Sequence, residues 1–268
     1  MPELPELETI VRVLRPRLLD RRIVRARLRH RSLYRRGSLR MPWLAGRSVD
    51  SVERIGKNAL LRLGPSGLVV INLGMTGRLC VQSRDENGSG RRHLHGRFYL
   101  DNGEELRFYD PRRFGHIFIA ERCDFTSDLN IGPDPFVATA RYLGNRLRNR
   151  RAPIKALLLD QGILSGIGNI YADELLFYSG IDPRTPGRGV AAKSARLLAR
   201  ARSVLGRAIA RGGSTIRDYR GADGASGSFQ HFHAVYGREG DACLECGNAI
   251  ERIVLAGRGT HFCPVCQR

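Results

Sequence analysis

Apolar residues near the start of the chain recur at helical spacing. Leu4, Leu7, Val11, Leu14 and Leu18 stand three and four residues apart, which predicts an amphipathic helix whose first turn tolerates Pro2 and Pro5. Across residues 21–30 the period falls to two: Val24, Ala26 and Leu28 alternate with Arg25, Arg27 and Arg29. That alternation predicts a half-buried strand with an arginine-studded face. Short apolar runs at 58–63, 68–73, 97–100, 105–109 and 115–120 predict further strands. Asn102-Gly103 between two of them is a hairpin signal, and the polar, glycine-bearing stretch 83–92 reads as a loop. Residues from about 20 to 120 therefore predict a β-sandwich or barrel with a helix packed at its start.

Gly132-Pro133-Asp134-Pro135 breaks this pattern and marks a domain boundary. Helical spacing follows at 138–148, 154–160, 171–178 and 193–211, with Gly212-Gly213 ending the last helix. Residues 221–228, rich in Gly, Ala and Ser, read as mobile. From Tyr236 onward the chain is cysteine-bearing and poor in large apolar residues. The expected fold is α+β and multidomain, divided at 1–132, 133–229 and 230–268. No internal repeat of solenoid length is present.

Charge adds a partner class. The 268 residues hold 45 Lys+Arg against 26 Asp+Glu, a net charge of +19, and a surplus of that size points to a polyanion. Lys57, Lys155 and Lys193 are the sole lysines. Each is the more informative for that, because Arg does not replace a compact ammonium. No apolar run approaches bilayer length, and the opening Met-Pro-Glu-Leu-Pro-Glu has neither the basic start nor the apolar core of a signal peptide. The expectation is a cytoplasmic, nucleic-acid-facing protein without membrane contact.

Cys243-x2-Cys246-x16-Cys263-x2-Cys266 has the spacing of a tetrahedral thiolate zinc site with one hairpin between its knuckles. Two disulfides are the rival, disfavoured in a reducing compartment. Four protein ligands leave no open position, so one structural zinc ion is expected. Arg252, Arg258 and Arg268 would decorate this ribbon, with Arg258 in a Gly257-Arg258-Gly259 turn. Cys80 and Cys123, both isolated, read as plain buried thiols.

Gly166-Ile167-Gly168-Asn169 precedes a helix. It fits either a phosphate-gripping helix start or a tight interhelical connection. At the N-terminus, removal of Met1 would expose the secondary amine of Pro2, a nucleophile toward electrophilic carbon. Glu3 and Glu6, three residues apart on one helix face, would stand beside it as acid and base. The plainer reading has Pro2 starting a helix whose acidic first turn complements the dipole.

Taken together the motifs resemble one family, the bacterial formamidopyrimidine-DNA glycosylases. The resemblance runs through Met1–Glu6, Ile55-Gly56-Lys57, Leu73-Gly74-Met75-Thr76-Gly77, Asp110-Pro111-Arg112-Arg113-Phe114-Gly115, 164–174, Gly212–Tyr219 and the four cysteines, in the family's order. It implies a helix–two-turn–helix domain in the middle of the chain, and a bifunctional enzyme that excises oxidised purines from double-stranded DNA and then cleaves the abasic site. Pro2 would attack the sugar carbon after the nucleotide is flipped out, Glu3 would protonate the opening sugar ring, and Glu6 would shuttle protons. Lys57 would be a cation at the lesion. Met75, Arg112 and Phe114 resemble the family's wedge, which fills the gap left by the extruded base. His95, Arg113, Lys155, Asn169 and Arg258 are carried over as DNA-binding residues. Ser214, Thr215, Arg217 and Tyr219 belong to a segment, about 213–229, resembling the lid over the extruded base. The implied protein acts as a monomer.

The chain departs from the family's pattern twice, with Asn72 where His often precedes Leu-Gly-Met and with Asn58-Ala59 where an aromatic often follows Lys57. An oxidised-pyrimidine enzyme of the endonuclease VIII type is the neighbouring alternative; Leu4 and Phe114 argue against it. A non-catalytic zinc-containing DNA-binding protein is the other, and it leaves Pro2, Glu3 and Glu6 without explanation.

Overall fold

The computed structural model describes residues 2–84, 92–121, 130–215 and 221–268. They form two compact units, Met1–Phe125 with Arg211–Ser228, and Thr126–Ala210 with Phe229–Arg268. Compactness thus joins the helices and the cysteine ribbon into one unit. Residues 211–228 belong with the strands.

In the first unit, helix α1 (Leu4–Leu18) is followed by eight strands among the described residues: β1 (Ile23–Leu28), β2 (Val49–Ile55), β3 (Asn58–Leu63), β4 (Gly67–Asn72), β5 (Arg78–Ser83), β6 (Leu94–Leu100), β7 (Glu104–Tyr109) and β8 (His116–Glu121). Two four-stranded antiparallel sheets result, ordered β1-β6-β7-β5 and β2-β3-β4-β8. Their shared core takes Leu61, Val69, Ile71, Ile117 and Ile119 from one sheet and Leu79, Val81, Phe98, Leu106 and Phe108 from the other. Leu7, Ile10, Val11, Leu14 and Leu18 of α1 complete it. This is the sandwich with a leading helix that the apolar spacing predicts.

One detail of the alternation shifts. A bulge between Ile23 and Arg25 in β1 breaks the period, so Ile23 and Ala26 enter the core while Val24 is 45% exposed. The Asn102-Gly103 hairpin forms as a three-residue loop with Gly103 at φ +81°, the conformation glycine adopts without strain. Residues 221–228, read from composition as mobile, make hydrogen bonds among themselves. Gly221 donates to Ala225 O at 2.8 Å, Ala225 to Asp223 Oδ1 at 2.9 Å, and Ala222 joins the core.

The second unit holds α2 (Ala140–Leu147), α3 (Ile154–Leu159), α4 (Asn169–Ser179), a short α5 (Gly187–Val190) and α6 (Ser194–Ala210), then the hairpin β9 (Glu251–Leu255) and β10 (Arg258–Phe262). Leu143, Leu147, Ile154, Leu158, Leu175 and Leu198 are among its core residues. α4 is buried almost all round, from Ile170 to Phe177, including Asp173 and Glu174. Phe177 carries the core on to the ribbon, packing with Val235, Ile250 and Cys263. No helix among the described residues is long and apolar enough to cross a membrane.

Candidate active site and metal centre

The start of α1 organises the first cluster. Glu3 is the N-cap, and Glu6, three residues on, returns its side chain to the Glu3 amide at 2.8 Å, a reciprocal capping box. The amides of the capping box and the helix dipole make this a place where buried carboxylates are tolerated, and Pro2, Glu3 and Glu6 are all buried. The second oxygen of Glu6 accepts the Ser214 amide at 2.7 Å. Glu6 therefore bridges the chain start to the segment after Gly213. Gly213 has φ +81°, and a Cβ there would lie 2.4 Å from Glu6 Oε1, so glycine is required both by conformation and by the carboxylate behind it. Thr215 Oγ1 accepts the Gly227 amide at 2.9 Å and the Ser228 amide donates to Arg211 O at 2.9 Å, pinning the two ends of this segment together. Arg217 and Tyr219 lie outside the described residues, as does Cys123; Cys80 is buried, as read from the sequence.

Lys57 sits buried in the two-residue turn between β2 and β3, after Gly56 at φ +58°. Its carbonyl accepts Asn72 Nδ2 at 3.3 Å.

A second cluster gathers on two interlocked turns. Asp110, fully buried, accepts Thr76 Oγ1 on Oδ1 and the Gly115 amide on Oδ2, each at 2.7 Å. Its carbonyl accepts His95 Nε2 at 3.0 Å and the Arg113 amide at 3.2 Å. Thus one carboxylate and its own backbone fix both the 73–77 and the 110–115 turns. Gly74, at φ +56°, lets them meet: a Cβ there would stand 2.5 Å from Gly115 N. The tips carry Met75 at 45% and Phe114 at 53% exposure, with the Arg112 guanidinium 4.4 Å above the Phe114 ring. Large apolar side chains such as Met75 and Phe114 would without the resemblance be taken for core residues; instead both stand exposed, Phe114 with a cation over its ring. Arg113 is exposed on the same turn. The sequence reading gave Asp110 and Thr76 no role, although an Asp directly before Pro is a turn signal.

His95 has to donate from Nε2, because its partner is a carbonyl. Burial pushes its pKa down, and its Nδ1 has no hydrogen-bond partner among the described residues.

In the second unit, Lys155, Asn169 and Arg258 converge on one point of the ribbon. Lys155, expected as a phosphate binder, is 0% exposed. Its ammonium meets Asp173 Oδ1 at 2.7 Å, Thr260 Oγ1 at 2.8 Å and Gly259 O at 2.9 Å. Two hydrogen bonds and an ion pair thus tie the ammonium to protein oxygens, with no surface left to it, the setting of a buried anchor. Asn169, the first residue of α4, donates from Nδ2 to the same Gly259 O at 3.0 Å. Asp173 also accepts the His261 amide at 2.9 Å. Glu174 accepts three backbone amides, of Ala234, Val235 and Tyr236, at 2.8–3.0 Å; burial still raises its pKa. Arg258 is not in a turn. The turn is Ala256-Gly257, both at positive φ, and Arg258 opens β10 opposite Leu255, its side chain exposed.

The four cysteine sulfurs lie within 4.8 Å of one another. Cys243 and Cys266 are 3.9 Å apart and Cys246 and Cys263 3.5 Å. Bonded disulfides stand at about 2.0 Å, whereas sulfurs about 2.3 Å from a tetrahedral zinc stand about 3.8 Å apart. The donor set fits zinc. Amide donors of Asn248 hold the Cys246 thiol down to about 6, while burial and the neighbouring sulfurs push Cys263 and Cys266 up.

Comparison with known families matches three models in order. The formamidopyrimidine-DNA glycosylase N-terminal domain matches residues 1–117, the formamidopyrimidine-DNA glycosylase H2TH domain residues 131–220, and the zinc finger found in FPG and IleRS residues 240–268. The formamidopyrimidine-DNA glycosylase of Thermus thermophilus is 43% identical over 275 residues, covering 100% of this chain and 98% of the relative. That of Laribacter hongkongensis is 41% identical over 284 residues with both chains covered in full. Among solved structures, the MutM (FPG) protein of Thermus thermophilus superposes with a TM-score of 0.87 at 40% identity, over 99% of this chain and 98% of that one. A Lactococcus lactis FPG mutant in complex with Fapy-dG-containing DNA superposes with a TM-score of 0.88 at 30% identity, both chains covered in full.

Proposed function

The chain belongs to the formamidopyrimidine-DNA glycosylase family, a zinc-finger family of DNA-repair glycosylases, and from that premise we propose that it excises oxidised purines, 8-oxoguanine and formamidopyrimidines, from duplex DNA and cleaves the resulting abasic site. The observation that carries this reading is the capped start of α1, where Pro2, Glu3 and Glu6 are buried together and Glu6 is fixed by two backbone amides.

With Met1 removed, the lone pair of the Pro2 nitrogen attacks C1′ of the flipped nucleotide. The C1′–base bond breaks toward the base, which departs with the proton that the Pro2 amine gives up on bonding. Glu3 protonates the ring oxygen as the sugar opens, leaving an iminium between Pro2 and C1′. Loss of a 2′ proton then expels the 3′ phosphate, a second elimination expels the 5′ phosphate with Glu6 relaying protons, and water hydrolyses the iminium to release the sugar and restore the Pro2 amine. Lys57 supplies the cation at the lesion. Met75, Arg112 and Phe114 occupy the vacated stack, the exposed apolar tip and its guanidinium being matched to a base-sized gap and an orphaned partner. Ser214, Thr215, Arg217 and Tyr219 cover the flipped base. His95, Arg113, Asn169 and Arg258 meet the DNA backbone, and Lys155 holds the ribbon that presents Arg258. The zinc ion, held by Cys243, Cys246, Cys263 and Cys266, stabilises the ribbon and takes no part in the reaction.

The test is strand cleavage of a duplex with 8-oxoguanine opposite cytosine. Wild-type protein is expected to cut, while Pro2→Gly and Glu3→Gln are expected to lose cleavage and keep salt-sensitive binding. Undiminished cleavage by both variants would refute the assignment.

A further inference from the structure

Asn72 and Asn58 face each other as cross-strand partners at the ends of β4 and β3. Their amides form one directed chain. The Gly74 amide donates to Asn72 Oδ1 at 2.9 Å, Asn72 Nδ2 donates to Asn58 Oδ1 at 2.9 Å and to Lys57 O at 3.3 Å, and Asn58 Nδ2 donates to Ile55 O at 3.1 Å. Both ends are backbone groups of fixed polarity. An amide N–H at Gly74 demands an oxygen, and carbonyls at Lys57 and Ile55 demand N–H donors, so neither side chain can flip. Asp at either position would set oxygen against oxygen, and an apolar residue would leave the Gly74 amide without this acceptor.

This chain spans two turns. One carries Lys57, and the other carries Met75 and packs through Gly74 against Gly115 behind Phe114. The turns belong to different strand connections, and the chain of amides ties them through side chains. We propose that Asn58 and Asn72 are positioning residues that hold the Lys57 turn in register with the Met75 turn, so that cation and wedge engage one nucleotide together. The inference rests on the proposed function for the roles of Lys57 and Met75. It also accounts for the two departures from the family's pattern as a single unit, since the two asparagines are each other's partner.

Single-turnover cleavage of 8-oxoguanine DNA by the zinc-loaded full chain tests it, as a function of protein concentration, for wild type, Asn72→Ala, Asn58→Ala and the double variant. Misplacing one turn by about 1 Å costs on the order of 100-fold. The maximal rate of Asn72→Ala is therefore expected to fall about 10- to 100-fold with half-saturation changed less than about threefold. Asn58→Ala is expected to fall less, and the double variant to match Asn72→Ala, because the residues act as one unit. Should Asn72→Ala fail to fold, Asn58→Ala, which removes one link, reads the same split of rate from half-saturation. Losses that multiply, or a wild-type rate in folded Asn72→Ala, would overturn the bridge. A wild-type protein inactive on this DNA would overturn the proposed function and the bridge with it, which sets that failure apart from failure of the bridge alone.

Discussion

Replacing Lys155 by Met separates an anchor from a phosphate contact. The substitution keeps the length of the side chain and removes the ammonium, leaving the Asp173 carboxylate, itself 0% exposed in its side chain, without the cation 2.7 Å away. Removing one partner of a buried pair costs about 3–5 kcal/mol, because the other charge stays desolvated. Here the low end applies: Asp173 keeps the His261 amide at 2.9 Å and the imidazole Nδ1 at 3.3 Å. We expect Lys155→Met to lose about 3 kcal/mol in urea unfolding of the second unit. Adding Asp173→Leu should recover part of it, since an apolar pair needs no compensation. DNA affinity should fall because the ribbon loosens, with the slope of log affinity against log salt unchanged. A phosphate contact would behave oppositely, keeping stability and lowering that slope by about one. The second pattern would refute the anchor.

Gly213→Ala forces a side chain into φ +81° against the Glu6 carboxylate; we expect a cost of about 1–2 kcal/mol and a loss of cleavage of about tenfold or more, and full activity would contradict the role of the Glu6–Ser214 contact. His233 packs between Phe229 and Tyr236, and burial lowers its pKa to about 4. The unfolded chain then binds the extra proton first, so this contribution is full above pH 6.5 and is lost as pH falls toward 4. It amounts to about 3 kcal/mol, and His233→Gln should flatten the pH dependence of the urea midpoint across that window; identical dependence in both proteins would refute it. Cys246→Ser should abolish stoichiometric zinc, loosen the Phe177–Val235–Ile250 core and weaken DNA binding, whereas retained zinc and affinity would contradict a structural site.

The sandwich was legible where one rule applied to each stretch. α1 followed its heptad-like spacing, and β3 and β4 showed as apolar runs because both faces are buried, Leu60 and Val70 on one side and Leu61 and Val69 on the other. Two strands escaped. In β2 a bulge separates Val49 from Val52 and destroys the alternation, and β5 offers just Leu79, Cys80 and Val81 between polar ends. The cysteines announced themselves by spacing. Pro2, Glu3 and Glu6 were visible as chemistry, but the link from Glu6 to Ser214 spans more than two hundred positions, which local pattern does not reach. Lys155 is the opposite case: carried over by resemblance as a phosphate binder, it lies buried beside Asp173, a placement that no local spacing announces.

The central claim is that the Pro2 nitrogen becomes bonded to the sugar. Borohydride reduction during reaction with 8-oxoguanine DNA, followed by protease digestion and mass mapping of the cross-linked peptide, tests it directly. The account predicts one adduct, on the N-terminal peptide at residue 2 with Met1 absent. An adduct at a lysine, or none while base release proceeds, would contradict it.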